Sequence, residues 1–208
     1  MADPIISTTS AALLGQLALR EQTPYEMTRE MARNLRYFWP RAASHVYREV
    51  KRLAANGWAT AERSSTGHRP RTVYRITPHG RSALAGWLAA PSAGTALEHE
   101  PLLRVFLAAS GSREDLLAAV SRARADAEQM LAVGRPLAGE YLSATHPFQD
   151  QVHIRALTFD YLYNWARFTV AWAERTEQEV RRWTDLAPTA DKHRRALDHL
   201  RAILDEEP

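Results

Sequence analysis

The chain has 208 residues, 45% of them hydrophobic and 25% charged, and none is cysteine. That length allows one domain or two small ones with a sizeable core, and the lack of thiols excludes a disulfide framework, thiolate metal sites and cysteine nucleophiles. The net charge of +3 is unevenly spread: residues 1–90 hold 13 Arg and Lys against 6 Asp and Glu, and the rest hold 14 against 18. A basic first part suits contact with a polyanion, which an acidic second part would avoid.

Ser7 to Leu19 reads as a first helix, with Leu13, Leu14 and Leu17 at helical spacing behind candidate Ser and Thr caps. Thr23-Pro24 restarts the chain, since proline suits a first helical turn. Tyr25, Met27, Met31 and Leu35 then give a second helix an apolar stripe, expected to end near Tyr37-Phe38-Trp39-Pro40 because the residue before proline avoids the helical region. A third helix spans about Arg41 to Ala55 and stops at Asn56-Gly57. Its pattern puts Val46, Tyr47, Val50 and Leu53 on one face and Arg41, Ser44, His45, Arg48 and Arg52 on the other, with Lys51 at the edge. Two strand-like runs follow, WATAER and RTVYRIT, joined by the turn SSTGHRP. Arg63, His68, Arg69 and Arg71 cluster around its tip. Pro78-His79-Gly80 closes the hairpin, and Arg81 to Ala90 resumes as a helix.

Pro91-Ser92-Ala93-Gly94 is a composition break, so a first domain over 1–90 and another over 95–208 are expected. The C-terminal domain reads as wholly helical: Glu100 to Ala109, Ser112 to Ala132, a turn or bend within Gly134 to Pro147, a long helix from Phe148 to Trp183, and a last one from Asp191 to Leu204. The fold class expected is mainly α with a small β-hairpin wing, an N-terminal winged helix-turn-helix followed by an all-α dimerisation domain.

A helix that reads DNA must be apolar where it meets its own domain and polar where it enters the major groove. The third helix meets both demands. Arg41, Arg48 and Arg52 suit phosphates or guanine edges, with Lys51 beside them, and Ser44 and His45 are short enough to sit against bases. Arg48 is the expected base contact. Alone, such a helix is more often an ordinary surface helix with a solvated charged face; the basic hairpin beside it reverses the balance toward DNA, with Arg63, His68, Arg69 and Arg71 tracking the backbone or entering the minor groove.

Residues 5–88 resemble the PadR family of transcriptional regulators. The resemblance is carried by Thr23-Pro24-Tyr25-Glu26-Met27, Tyr37-Phe38-Trp39, Val46-Tyr47-Arg48-Glu49-Val50-Lys51-Arg52-Leu53, Asn56-Gly57-Trp58 and Tyr74-Arg75-Ile76-Thr77-Pro78-His79-Gly80-Arg81. It implies a homodimer whose two wings and recognition helices meet adjacent grooves of a near-palindromic operator in double-stranded DNA. It also implies repression that a small molecule relieves. Ser44-His45 stands where the family often has small residues, which bears on base preference. Larger members carry a C-terminal helical domain of about this length that pairs the subunits.

In the C-terminal half, Ile154, Leu157, Tyr161, Trp165, Phe168 and Trp172 step by three or four along the longest helix. An apolar stripe of that length needs cover, from within the chain or from a second subunit across a two-fold axis. Tyr37, Phe38, Trp39, Trp165 and Trp172 are the candidate lining of a pocket for a flat apolar effector, or packing residues.

Enzymatic readings find little support, and no catalytic residues are assigned. The His are scattered, and His193 and His199 lie six apart, poor ligand spacing on a helix, so no metal or other cofactor is expected. His99-Glu100 lacks the second His of a zinc-protease helix. The longest apolar runs are too short for a bilayer span, and no signal peptide is evident, so a cytoplasmic protein without a membrane partner is expected. The rivals are a winged-helix adaptor that binds protein without specific DNA recognition, and a helical small-molecule-binding enzyme.

Overall fold

The structure is a computed structural model and describes residues 5–64, 71–146 and 148–205. The chain divides into two compact units, Met1–Thr95 and Ala96–Pro208.

In the first unit, α1 (Thr8–Leu19) starts at Ser7, whose hydroxyl accepts the Ser10 amide at 3.1 Å. Leu13, Leu14 and Leu17 point inward and are buried. Helix α2 (Pro24–Asn34) opens with a full capping box: the Glu26 amide donates to Thr23 Oγ1, and the Thr23 amide donates to the Glu26 carboxylate at 2.7 Å. The Thr23 amide first, and then the Thr23 hydroxyl, which also donates to this carboxylate at 2.8 Å, hold the Glu26 carboxyl below the usual range against the cost of partial burial. Met27 and Met31 are its buried stripe. The helix ends at Asn34, earlier than the stretch before Pro40. The amides of Phe38 and Trp39 both turn back to the Leu35 carbonyl, at 3.1 and 2.6 Å, which folds Trp39 against the core.

Helix α3 (Ala43–Ala55) begins two residues after Arg41 and buries Val46, Glu49, Val50 and Leu53. Gly57 takes a φ of +70°, which a side chain would strain, and so reverses the chain into Trp58, itself fully buried. Strands β1 (Ala59–Ser64) and β2 (Arg71–Ile76) pair antiparallel from Ala59 opposite Ile76 to Ser64 opposite Arg71. Gln22, between α1 and α2, adds an isolated bridge to Tyr74 through two backbone bonds of 3.1 and 2.9 Å. Helix α4 (Pro78–Ala89) begins three residues before the expected Arg81. Thr77 caps it, accepting the Gly80 amide at 3.0 Å, and Pro78 sits where a missing N–H costs nothing. The turn-like triplet Pro78-His79-Gly80 is therefore the first turn of a helix. Gly80 is required there, because a Cβ would lie 2.0 Å from the Trp58 carbonyl oxygen.

In the second unit, α5 (Glu100–Phe106) leads through a short 3₁₀ turn into α6 (Arg113–Leu142), capped by a Ser112–Asp115 box. Helix α6 runs through Gly134 and Pro136, where the composition suggested a turn. An interior proline costs about 3 kcal/mol; pairing along α7 (Val152–Arg181) offsets it. The two helices form an antiparallel hairpin. Arg113 at the start of α6 donates to the Val180 carbonyl near the end of α7 at 3.2 Å, while Gly134 lies against the Phe159 ring. Ala119, Ala123 and Ala127 of α6 and Ala166, Thr169 and Ala173 of α7 are buried, with side chains short enough for close approach of the two helices. Leu116, Val120, Ala173 and Val180 form the buried cluster, with Trp172, Trp183 and Leu186 around it. Helix α8 (Ala190–Asp205) buries no residue. Its base is tied by Lys192, whose ammonium donates to the Asp185 carbonyl at 2.9 Å and the Ala187 carbonyl at 2.7 Å.

Candidate nucleic-acid interface

Helix α3 turns its apolar side to α1 and α2, and this decides what faces outward. Ser44, Arg48, Lys51 and Arg52 are exposed on it, His45 is half-buried, and Arg41 stands exposed just before its first turn. Arg48 donates to Nδ1 of His45 at 2.7 Å, one helical turn away, which holds its guanidinium along the outer face. Lys51 forms no ion pair with the described residues. Arg41 lies 4.2 Å from the Trp39 ring centroid and donates to the Pro40 carbonyl at 2.6 Å, so its reach starts from the α2–α3 turn. Tyr47, which the apolar pattern assigned to the inner face, is 43% exposed. The inner face is filled by Val46, Val50 and Leu53.

The hairpin supplies the other basic element. Arg63 and Arg71 are exposed at the far ends of β1 and β2, in the register that sets Arg63 opposite Thr72. His68 and Arg69 lie outside the described residues. Lower on β2, Arg75 is ion-paired with Glu21 at 2.6 Å.

A polar cluster that the sequence reading missed lies between α1 and α3. Glu49, on the inner side of α3 and 5% exposed, accepts from Ser7 Oγ at 2.7 Å, from Ser10 Oγ, and from Arg52 Nη2 at 2.6 Å. The same Arg52 nitrogen donates to Ser7 Oγ at 2.9 Å and to Ser10 Oγ at 3.0 Å. Burial pushes the Glu49 carboxyl up, but the Ser10 and Ser7 hydroxyls and the Arg52 charge together hold it below its ordinary value. Arg52, grouped by sequence with the outward cations, is exposed and also bonds within its own domain. The legible signal was the three-residue spacing of Glu49 and Arg52.

On α7, Ile154, Leu157, Tyr161 and Phe168 are exposed, between 54% and 72%, while Trp165 and Trp172 are half-buried. Trp172 packs on the α6–α7 cluster, and Trp165 meets His99 edge-on at 6.5 Å between centroids. The five aromatic residues proposed to line a pocket fall in both units. Trp39 packs on the first unit's core, Phe38 is exposed, and Tyr37 bonds Arg36, whereas Trp165 and Trp172 belong to the second. Among the described residues no group of three His, Asp or Glu is placed to hold a metal, and no helix is long and apolar enough to cross a membrane.

Three core helices, a two-stranded wing and a basic outward helix define the first unit as a winged helix-turn-helix. Residues 13–86 match the transcriptional regulator PadR-like family, and residues 99–181 match the virulence activator alpha C-terminal family. The two matches thus fall one on each compact unit. Among relatives, it is 33% identical over 85 residues to a probable transcriptional regulator of Mycobacterium tuberculosis, covering 40% of this chain and 45% of that protein. It is 28% identical over 92 residues to the negative transcriptional regulator PadR of Bacillus subtilis, covering 44% and 46%. The chain thus spans a little under half the length of each relative. Among solved structures, Bacillus subtilis PadR in complex with operator DNA superposes with a TM-score of 0.72 at 20% identity, over 84% of this chain and 99% of that one. The Vibrio cholerae virulence activator AphA gives 0.65 at 23%, over 84% and 98%. The same Bacillus protein in complex with p-coumaric acid gives 0.65 at 22%, over 84% and 99%. At such identities these likenesses establish the fold. The family descriptions and the relatives' names are those of transcriptional regulators, not enzymes.

Proposed function

We propose that this protein is a sequence-specific DNA-binding transcriptional regulator that acts as a homodimer, with residues 1–90 reading DNA and residues 95–208 pairing the subunits and receiving an effector. The observation that carries the reading is the outward face of α3: Ser44, His45, Arg48 and Lys51 stand on a helix anchored by Val46, Val50 and Leu53, with the cations Arg63 and Arg71 on the wing. In this reading α3 enters the major groove, Arg48 addresses a base edge, and Arg41, Lys51 and the wing arginines hold phosphates. The turn residues His68 and Arg69 extend the wing contact.

The exposed apolar face of α7 supports pairing with a second copy, which places two reading heads on a near-palindromic site. Repression is taken from the Bacillus relative, named a negative regulator. A small apolar or aromatic effector is taken from the same protein's complex with p-coumaric acid, an aromatic acid. Of the five aromatic residues singled out from the sequence, Trp165 and Trp172 lie within residues 95–208 and are the ones offered for it. A cytoplasmic location accords with this role.

The test begins with a duplex enriched from a random library by the protein itself. Binding should weaken steeply with salt, the log–log slope being about −0.9 per phosphate contacted. Arg48→Ala should weaken the enriched duplex by roughly 1–3 kcal/mol and relax its sequence preference. A protein that enriches no sequence and binds duplex without salt dependence is an adaptor, and the proposal then fails. An in vitro transcription assay on the enriched site reads the sign of regulation.

A further inference from the structure

Apolar packing holds α3 on α1 through Val46, Val50 and Leu53, but such contacts are non-directional. A helix seated on aliphatic side chains alone has rotational play about its own axis. Directional bonds remove that play, and α3 makes one concentrated set of them. Glu49 and Arg52, one helical turn apart, share bonds with Ser7 and Ser10 across 39 to 45 residues of sequence. Ser7 is also the cap of α1 and takes the Ser10 amide at 3.1 Å, so the cluster engages the first turn of α1 as a unit.

A carboxylate with 5% exposure, as at Glu49, is costly unless its charge is matched and its oxygens are bonded. The match is Arg52, 2.6 Å away and 46% exposed. If that guanidinium swung out to a DNA phosphate, it would leave Glu49 buried without its counter-ion. We propose that Ser7, Ser10, Glu49 and Arg52 form a latch that fixes the rotation of α3 on α1, and that Arg52 serves DNA reading as a positioning residue through this latch, not as a phosphate contact. The inference rests on the DNA-binding reading above.

Two properties separate the latch from a direct contact. Removing a phosphate contact lowers the salt slope by about 0.9, whereas misplacing a helix weakens binding to the specific site at constant slope. The two readings also give Glu49 opposite signs. If Arg52 reached for DNA, neutralising Glu49 would free the guanidinium, remove a repelling charge and tighten the complex. If the latch positions α3, the same change loosens it.

The experiment measures the salt dependence of binding to the library-enriched duplex and to poly(dI-dC), for the parent, Glu49→Gln, Ser7→Ala and Arg52→Ala, with melting curves to set the assay temperature well below every transition. Ser7→Ala leaves every charge in place and so isolates geometry. The expected result is that Glu49→Gln and Ser7→Ala weaken the enriched duplex by about tenfold, the size of one good base-edge interaction. Arg52→Ala weakens it at an unchanged salt slope, and binding of Glu49→Gln and Ser7→Ala to poly(dI-dC) stays at the parental level. Tighter or unaltered binding by Glu49→Gln, or a slope reduced by about one in Arg52→Ala, overturns the proposal. A parent that binds no duplex refutes the regulator reading itself, and with it any DNA role for the latch.

Discussion

Two glycines of α4 should respond oppositely to the same substitution. At Gly80, alanine would place its methyl carbon 2.0 Å from the Trp58 carbonyl oxygen, 2.9 Å from that carbonyl carbon and 3.1 Å from Cγ1 of Ile76. Non-bonded carbons settle at about 3.5–4.0 Å, so α4 must retreat by on the order of 1 Å from the entrance to β1. The obstacle is backbone, which cannot turn aside as a side chain can. It is also already the acceptor of the Thr77 amide at 3.1 Å, next to the cap of the same helix. Overpacking costs about 1–3 kcal/mol, occasionally more, and a backbone clash belongs at the upper end. At roughly 4–8 °C per kcal/mol for a unit of this size, Gly80→Ala should lower the melting temperature by about 12–24 °C. Gly86 has nothing within 4 Å of where its Cβ would stand. Gly86→Ala should add about 0.5–1 kcal/mol by restricting the unfolded chain and favouring helix, raising the melting temperature by roughly 2–8 °C. Calorimetry of the full chain, with circular dichroism as an independent probe, reads both. Shifts in the same direction would refute the packing of α4 over Trp58.

Three further outcomes follow from other features. Phe168→Asp should leave the helical content intact, because the ring is 61% exposed, and should convert a dimer to a monomer in light scattering if the α7 face pairs two copies; a dimer that survives it rules that face out. Thr23→Ala removes the cap of α2 and should cost about 1 kcal/mol in urea denaturation, with Thr23→Ser retaining most of it. Glu49 has a depressed folded-state pKa, so its stabilisation is fully present above the unfolded value of about 4.3 and is lost as pH falls through the folded value. The stability of Glu49→Gln should therefore decline less steeply on acidification, as read by urea midpoints at several pH values.

The elements most legible in the sequence were those where local chemistry and tertiary packing agree. Ser112 caps α6 with Asp115 three residues on, Gly57 ends α3, and the hairpin pairs as the flanking turn residues require. Misreadings arose where a long-range contact outweighs a local preference. Pro136 reads as a break, yet α6 continues because α7 lies along it. Pro78-His79-Gly80 reads as a turn, yet proline at a first helical position and a glycine pressed on Trp58 make it the start of α4. At the candidate interface, the outward placement of Ser44, Arg48 and Lys51 followed from the 3.6-residue period. The cluster around Glu49 did not, because periodicity assigns a charged residue to the surface, and its partners Ser7 and Ser10 lie some forty residues away in sequence. Tyr47 failed in the reverse sense, an aromatic on a face that periodicity counts as inner.

The lysine tie at the base of α8 has a consequence for how the chain meets proteases. Lys192 fastens the first turn of that helix, and beyond it no residue is buried. A 16-residue helix that buries none of its residues is only marginally stable in water, so it opens at small free energy while the α6–α7 hairpin stays closed. Trypsin added sparingly should cut first after Arg194, Arg195 or Arg201, leaving the hairpin whole, and the amide protons of that segment should exchange with deuterium long before those of Val120 and Ala173.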